Sequence, residues 1–181
     1  IDGDGLELSS ISYGGPRRFD MDGDGFAEPT GWVDGDDGFL VRDENANGTI
    51  DGIADLIGSP SQSGFAELSA FDSNVDGVID ATEAASAGLK VWRDLNQNQI
   101  SEAIELSTLA DAGISSISLT VTATPGKTNV TNTIAGEAQL TRTNGTTGTI
   151  SDVRFRIDNF LTTYLGDKTV SSRAAAMPNL A

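Results

Sequence analysis

Polar and apolar residues alternate with a period of two along much of the last third of the chain, and helical spacing is confined to short stretches. Ala138 to Thr143 and Thr149 to Ile157 read as two strands, with Asn144-Gly145-Thr146-Thr147-Gly148 as the hairpin loop between them. Val153, Phe155 and Ile157 should face a core, and Asp152, Arg154 and Arg156 should face water or the acidic half of the chain. Ile114 to Thr124 predicts a further strand, with Ile117, Leu119 and Val121 on one face and a turn at Pro125-Gly126-Lys127. Leu89-Lys90-Val91-Trp92 predicts a shorter strand. Helices are expected over Ser63 to Phe71, Ala81 to Ala87, Ser101 to Ala112 and Asn159 to Leu165. The first would bring Phe65, Leu68 and Phe71 together behind a Ser63 cap.

Acidic loops fill the gaps between these elements. Asp72-Ser-Asn-Val-Asp-Gly-Val-Ile-Asp-Ala-Thr-Glu fits D-x-[DN]-x-[DN]-G-x5-E at each fixed position. Asp72, Asn74 and Asp76 would supply side-chain oxygens, and Val78 its carbonyl. Asp80 stands at position 9, and Glu83 closes the site. Calcium takes six to eight oxygens, and this spacing wraps them around one point. A second loop offers Asp94, Asn96, Asn98, Ile100, Glu102 and Glu105 at the same positions, but Gln99 replaces the turn glycine. That departure costs on the order of 1 kcal/mol, so this loop is expected to be the weaker one.

Three looser versions precede these. Asp20, Asp22, Asp24 and Phe26 occupy positions 1, 3, 5 and 7 of a loop whose position 12 is Gly31, so Asp34, Asp36 or Asp37 are the expected source of a closing carboxylate. Asp43, Asn45, Asn47, Thr49 and Asp51 fill positions 1 to 9 of another, and Asp55 sits one residue late for position 12. Asp2 and Asp4 resemble positions 3 and 5 of a loop whose first Asp would lie before Ile1. Two partial loops sharing one ion is an open alternative.

Charge sharpens this picture. Of 27 acidic residues in 181, 20 fall in these runs, and the net charge is -16. Clustered carboxylates oppose compaction until a cation neutralises them. Several calcium ions are therefore the expected cofactors, with metal binding coupled to folding. The chain has no Cys and no His, which excludes thiolate and imidazole sites and Cys–His or Ser–His catalysis. Acidity argues against nucleic acid as a partner, and no apolar run is long enough for membrane insertion. Trp32 and Trp92, each beside an acidic run, read as core anchors.

The expected fold class is α+β, with short helices and EF-hand-like calcium loops plus an antiparallel β-sheet or sandwich in the C-terminal part. Residues 1–165 are expected to form a single, monomeric module, acidic and loop-rich over 1–111 and β-rich over 112–165. Residues 166–181 read as a linker to a next domain.

The runs Phe19-Asp-Met-Asp-Gly-Asp-Gly-Phe-Ala-Glu, Thr30-Gly-Trp-Val-Asp-Gly-Asp-Asp-Gly-Phe-Leu-Val-Arg-Asp, Asp72-Ser-Asn-Val-Asp-Gly-Val-Ile-Asp and Leu89-Lys-Val-Trp-Arg-Asp-Leu-Asn-Gln-Asn resemble the self-processing module of FrpC-type RTX proteins, from Ile1 to about Asp167. The resemblance implies a secreted or cell-surface bacterial protein. It also implies cleavage of an Asp-Pro bond just ahead of the module when calcium binds. The freed Asp carboxyl would be joinable to the Lys amine of an acceptor protein. No Asp-Pro occurs in the chain, so the catalytic bond would lie before Ile1. A calcium-rigidified structural or adhesion module without chemistry is the alternative reading.

Overall fold

A computed structural model describes residues 5–12 and 18–165. These residues form thirteen strands: β1 (Leu8–Ser9), β2 (Phe26–Ala27), β3 (Trp32–Val33), β4 (Phe39–Val41), β5 (Val78–Asp80), β6 (Lys90–Trp92), β7 (Leu106–Ser107), β8 (Ile114–Ser118), β9 (Thr122–Ala123), β10 (Thr128–Asn129), β11 (Asn132–Arg142), β12 (Thr147–Arg154) and β13 (Thr163–Tyr164). Among the described residues the two α-helices are short: α1 (Gly64–Leu68) and α2 (Ala81–Ala87).

The main sheet is built on β11. One edge of β11 carries β12, and the other carries β8, β9 and β10, with β5 beyond β8. All these pairs are antiparallel. β11 earns its central place by alternation: Asn132, Ile134, Ala138 and Leu140 are buried on one face. Ile79 of β5 pairs with Ile117 of β8, and Leu140 of β11 sits on the other side of Ile117. These residues, with Phe65, Leu68, Leu89, Val91 and Leu109, form one apolar core.

A second core lies under the acidic N-terminal part. It gathers Phe19, Met21, Trp32, Val41, Ile50, Leu56 and Trp92, with Phe39, Val153, Phe155 and Ile157 packed at its rim. Trp32 and Trp92 meet edge-on at 5.4 Å between centroids, and Phe19 lies 5.3 Å from Trp32. A three-stranded sheet, β4-β6-β7, links this core to the first, because Val91 and Trp92 are consecutive on β6 and serve different cores.

The fold is mostly β-sheet, and the expected α+β class with EF-hand loops does not hold. Among the described residues only loop 72–83 has helical segments on both sides, the one-turn α1 with its 3-10 extension and the two-turn α2, and these are too short for an EF-hand pair. Loop 94–105 instead joins two antiparallel strands, with Trp92 opposite Leu106 and Val91 opposite Ser107. The helix expected over Ser101 to Ala112 is absent, because strand pairing at Leu106 competes with it and wins. The helix expected over Asn159 to Leu165 is replaced by a turn and β13.

Other local expectations match. Ser63 caps α1 by accepting from the Ala66 N–H, and a 3-10 turn at Ser69–Phe71 completes that segment. Asp80 and Glu83 form a capping box on α2, and Gly88 ends it at a φ of 73°. The β11–β12 hairpin closes through Thr143 to Thr146, with the Arg142 N–H donating to the Thr146 carbonyl. Asp152 is half-buried rather than solvent-facing. A bulge between Ile134 and Gly136 shifts the register so that Asp152 lies opposite Gly136 on the inner face.

Candidate metal centre

Four of the acidic loops share one hydrogen-bonding scheme. The seventh residue donates its backbone N–H to the side chain of the fifth: Phe26 to Asp24, Thr49 to Asn47, Val78 to Asp76, Ile100 to Asn98. The sixth residue donates to the first: Gly25 to Asp20, Gly48 to Asp43, Gly77 to Asp72, Gln99 to Asp94. Side-chain oxygens are thereby turned toward the inside of each loop. The sixth residue needs a positive φ, and Gln99 adopts 61° without being glycine.

The closing carboxylate is fixed by the N–H of the second residue in all four. In loop 72–83, Glu83 Oε1 accepts from Ser73 N–H at 2.8 Å, and Oε2 accepts from the N–H of Asp80, the ninth residue, at 3.2 Å. The Asp80 N–H, with Ser73 and Asn74 behind it, holds Glu83 below the usual carboxylate range although burial opposes this. In loop 94–105, Glu105 Oε1 accepts from Leu95 N–H at 2.9 Å and Oε2 from Glu102 N–H at 3.3 Å. Asp55 takes the same place in loop 43–55, accepting from Glu44 at 3.0 Å and Asp51 at 3.1 Å. Its later sequence position is absorbed by the 3-10 turn Ile53–Asp55.

In the Asp20 loop, Glu28 closes the group. Its Oε2 accepts from Met21 N–H at 3.2 Å. Asp20, Asp22, Asp24 and Glu28 place one carboxylate oxygen each within 4.8 Å of one another, an arrangement that can hold a metal ion. Glu28 is fully buried, and its Oε1 and the Asp22 Oδ1 are buried without a hydrogen-bond partner. Burial, opposed by the Met21 N–H and aided by the charges of Asp22, Asp20 and Asp24, pushes the Glu28 carboxyl up to about 7. A carboxylate in that setting lacks a counter-charge, which a cation would supply.

The other expected ligands fall as follows. Asn96 donates its amide to Glu102 at 2.8 Å, and Asn47 donates to Asp51 at 2.9 Å. Asn74 donates to Asp76, and Asn45 accepts from Asn47 N–H. Asp34, Asp36 and Asp37 are not part of the Asp20 group. The buried Asp37 carboxylate instead accepts from Glu7 N–H at 2.7 Å, and Asp34 bonds the Glu7 carbonyl through its own N–H. Asp2 and Asp4 lie outside the described residues.

Three residues act at the loops without belonging to the loop pattern: Glu28, Trp32 and Trp92. Glu28 stands at the ninth place of its loop, where no closing acid is looked for, although it ends the same acidic run. Trp32 donates its indole N–H to Asp94 at 2.8 Å, and Trp92 donates to Glu105 at 3.2 Å. Both tryptophans are core anchors and loop partners at once.

Fold and site together define an antiparallel β module whose connections carry acidic, cation-type loops. The chain belongs to the SPM domain family, which it matches over residues 1–156. It is 38% identical over 189 residues to the iron-regulated protein FrpA of Neisseria meningitidis serogroup C, a match that covers 100% of this chain and 17% of that protein. The chain is thus an FrpA/FrpC-related module, spanning a small part of a much longer relative. Among the described residues no helix is long and apolar enough to cross a membrane.

Proposed function

We propose that this chain is a calcium-loaded module of a secreted RTX protein, and that calcium-induced folding promotes autocatalytic cleavage of an Asp-Pro bond just upstream. The observation that carries the calcium part is the Asp20–Glu28 group, with two buried carboxylate oxygens lacking partners. Asp20, Asp22, Asp24 and Glu28 would hold the ion. The donor set is all oxygen, as a hard cation prefers, and a chain without Cys or His offers soft-metal chemistry nothing. The ion supplies positive charge that lets the acidic loops compact.

The cleavage part rests on membership of the family and on the resemblance to self-processing modules. The Asp side-chain carboxylate would attack its own peptide carbonyl through a five-membered ring. The C–N bond to proline breaks, the proline nitrogen takes a proton, and a cyclic anhydride is left. Water opens that anhydride to Asp, or a Lys amine opens it to an amide. The folded module contributes orientation, which supplies roughly 7–11 kcal/mol in well-aligned systems.

The test uses the chain extended by its native upstream sequence. In chelator the precursor should stay whole, and millimolar calcium should cut it once, at a rate independent of protein concentration. Replacing the upstream Asp with Asn should abolish cutting, and a Lys-bearing partner should be trapped as a new amide. A second reading is a calcium-rigidified structural or adhesion module, which the same acidic loops would serve without any chemistry. A precursor that folds with calcium yet stays whole for days would establish it in place of the first.

A further inference from the structure

Residues 159–165 are all exposed, and none belongs to either core. Even so, they are laid down as an ordered turn and strand. Among the described residues, the hydrogen bonds tying residues 158–165 to the rest of the fold all end on residues 22–29. Asp158 N–H donates to the Pro29 carbonyl at 3.0 Å, and Leu165 N–H donates to the Gly25 carbonyl at 3.1 Å. β13 pairs with β2, Thr163 opposite Ala27 and Tyr164 opposite Phe26. The Phe26 and Tyr164 rings are 5.1 Å apart. Asn159 donates its side-chain amide to Asp22 Oδ2 at 3.0 Å.

Residues 22–29 are the body of the Asp20 loop and the strand that leads to Glu28. Asp22 divides its carboxylate between two tasks. Oδ2 serves Asn159, and Oδ1, buried and without a partner, is the oxygen left for a cation. Four carboxylates this close repel one another when no cation is present. Gly23 and Gly25 carry φ values of 78° and 86°, so the loop can open at those points with little resistance. Opening displaces the Gly25 carbonyl and the Asp22 carboxylate, which are two of the anchors of the strand.

We propose that the Asp20–Glu28 site is a cation-controlled clasp for the C-terminal strap 158–165: with the site filled β13 is docked on β2, and with the site empty it is released. The proposal rests on the reading of this group as a cation site. By linkage, docking of the strap must also tighten the site for its cation by the same factor.

The experiment compares the whole chain with its Glu28→Gln and Asn159→Ala variants, titrated with calcium from the unloaded state for binding and held in saturating calcium, where the other loops stay filled, for exchange. Two readouts are taken: calcium binding by calorimetry, and amide exchange at Leu165, with the core amides of Ile79 and Ile117 as the check that the fold is intact. Glu28→Gln should lose one binding event and speed exchange at Leu165 at least tenfold, with the core amides unchanged. Asn159→Ala removes one hydrogen bond to a charged group, and should speed exchange at Leu165 and weaken that calcium event by a common factor of about ten. If Glu28→Gln loses no binding event, the cation-site reading fails and the clasp falls with it. If the event is lost and Leu165 exchange is unaltered, the site stands and the clasp is wrong. Should the core amides of Glu28→Gln lose protection, the Asn159→Ala pair of factors decides: equal shifts support the clasp, and a change in exchange without a change in affinity overturns it.

Discussion

The indole N–H of Trp32 donates to the carboxylate of Asp94 at 2.8 Å, across 62 residues of sequence. It ties the aromatic core directly to the first residue of the second acidic loop. Trp32→Phe keeps an aromatic ring in the core, removes the rest of the indole and leaves Asp94, a fully buried acid, with one donor fewer. The expected loss of stability is about 1–3 kcal/mol. Because Trp92 bonds Glu105 of the same loop, indole emission should also change on calcium titration of the native chain, and a flat titration would contradict the loop's part in binding.

Glu28→Gln should act with opposite signs in two conditions. In chelator it removes a buried charge from beside three aspartates, so the melting temperature should hold or rise. In excess calcium it removes a ligand, so the melting temperature should fall relative to the native chain. Calorimetric melts in both buffers check this, and a fall of equal size in both would point to lost packing alone.

Gln99 holds a φ of 61°, and its Oε1 is buried without a partner. Gln99→Gly should relieve backbone strain worth on the order of 1 kcal/mol. Calcium affinity of the second loop should rise toward that of loop 72–83. Conversely, Glu83→Gln should weaken its loop more than Glu105→Gln weakens the second. Isothermal titration of the three variants ranks them.

Asp152 sits on the inner face of β12, where burial raises its carboxyl above the ordinary range, against the pull of Arg154 and the Gly64 N–H. A group whose folded pKa is raised binds its proton more tightly when folded. It therefore costs stability above that pKa, and the cost disappears as pH falls through it. Asp152→Asn should raise stability at pH 7 by less than about 1 kcal/mol, and the gain should vanish in acid. Urea unfolding at two pH values measures it.

Empty, the Asp20–Glu28 group is an unstable collection of charge, so calcium should raise the melting temperature of the whole chain. One ion at a hundred times its dissociation constant adds about 2.7 kcal/mol, a large share of an ordinary stability of about 5–15 kcal/mol. Magnesium should substitute poorly, since it prefers six oxygens at short range and keeps its waters. Identical melts with calcium and with chelator would refute the cation reading.

Local chemistry was legible in the sequence wherever a residue's neighbours in the chain decide its role. Ser63 caps its helix because capping needs only the next three residues. The β11–β12 hairpin followed from alternation around Asn144-Gly145. Gln99 was expected to take a positive φ because loop spacing alone demands it. Tertiary structure decided the rest. Ser101 to Ala112 carries helical spacing, but Leu106 is claimed by Trp92 across the β6–β7 pair, a partner that spacing cannot reveal. The closing acid of the Asp20 loop is Glu28, and not one of Asp34, Asp36 and Asp37, because the Phe19–Glu28 bridge folds the chain back and carries that carboxylate to Met21. Motif spacing counts residues along the chain. A cation site is set by distances across space, and only the packed strands fix those.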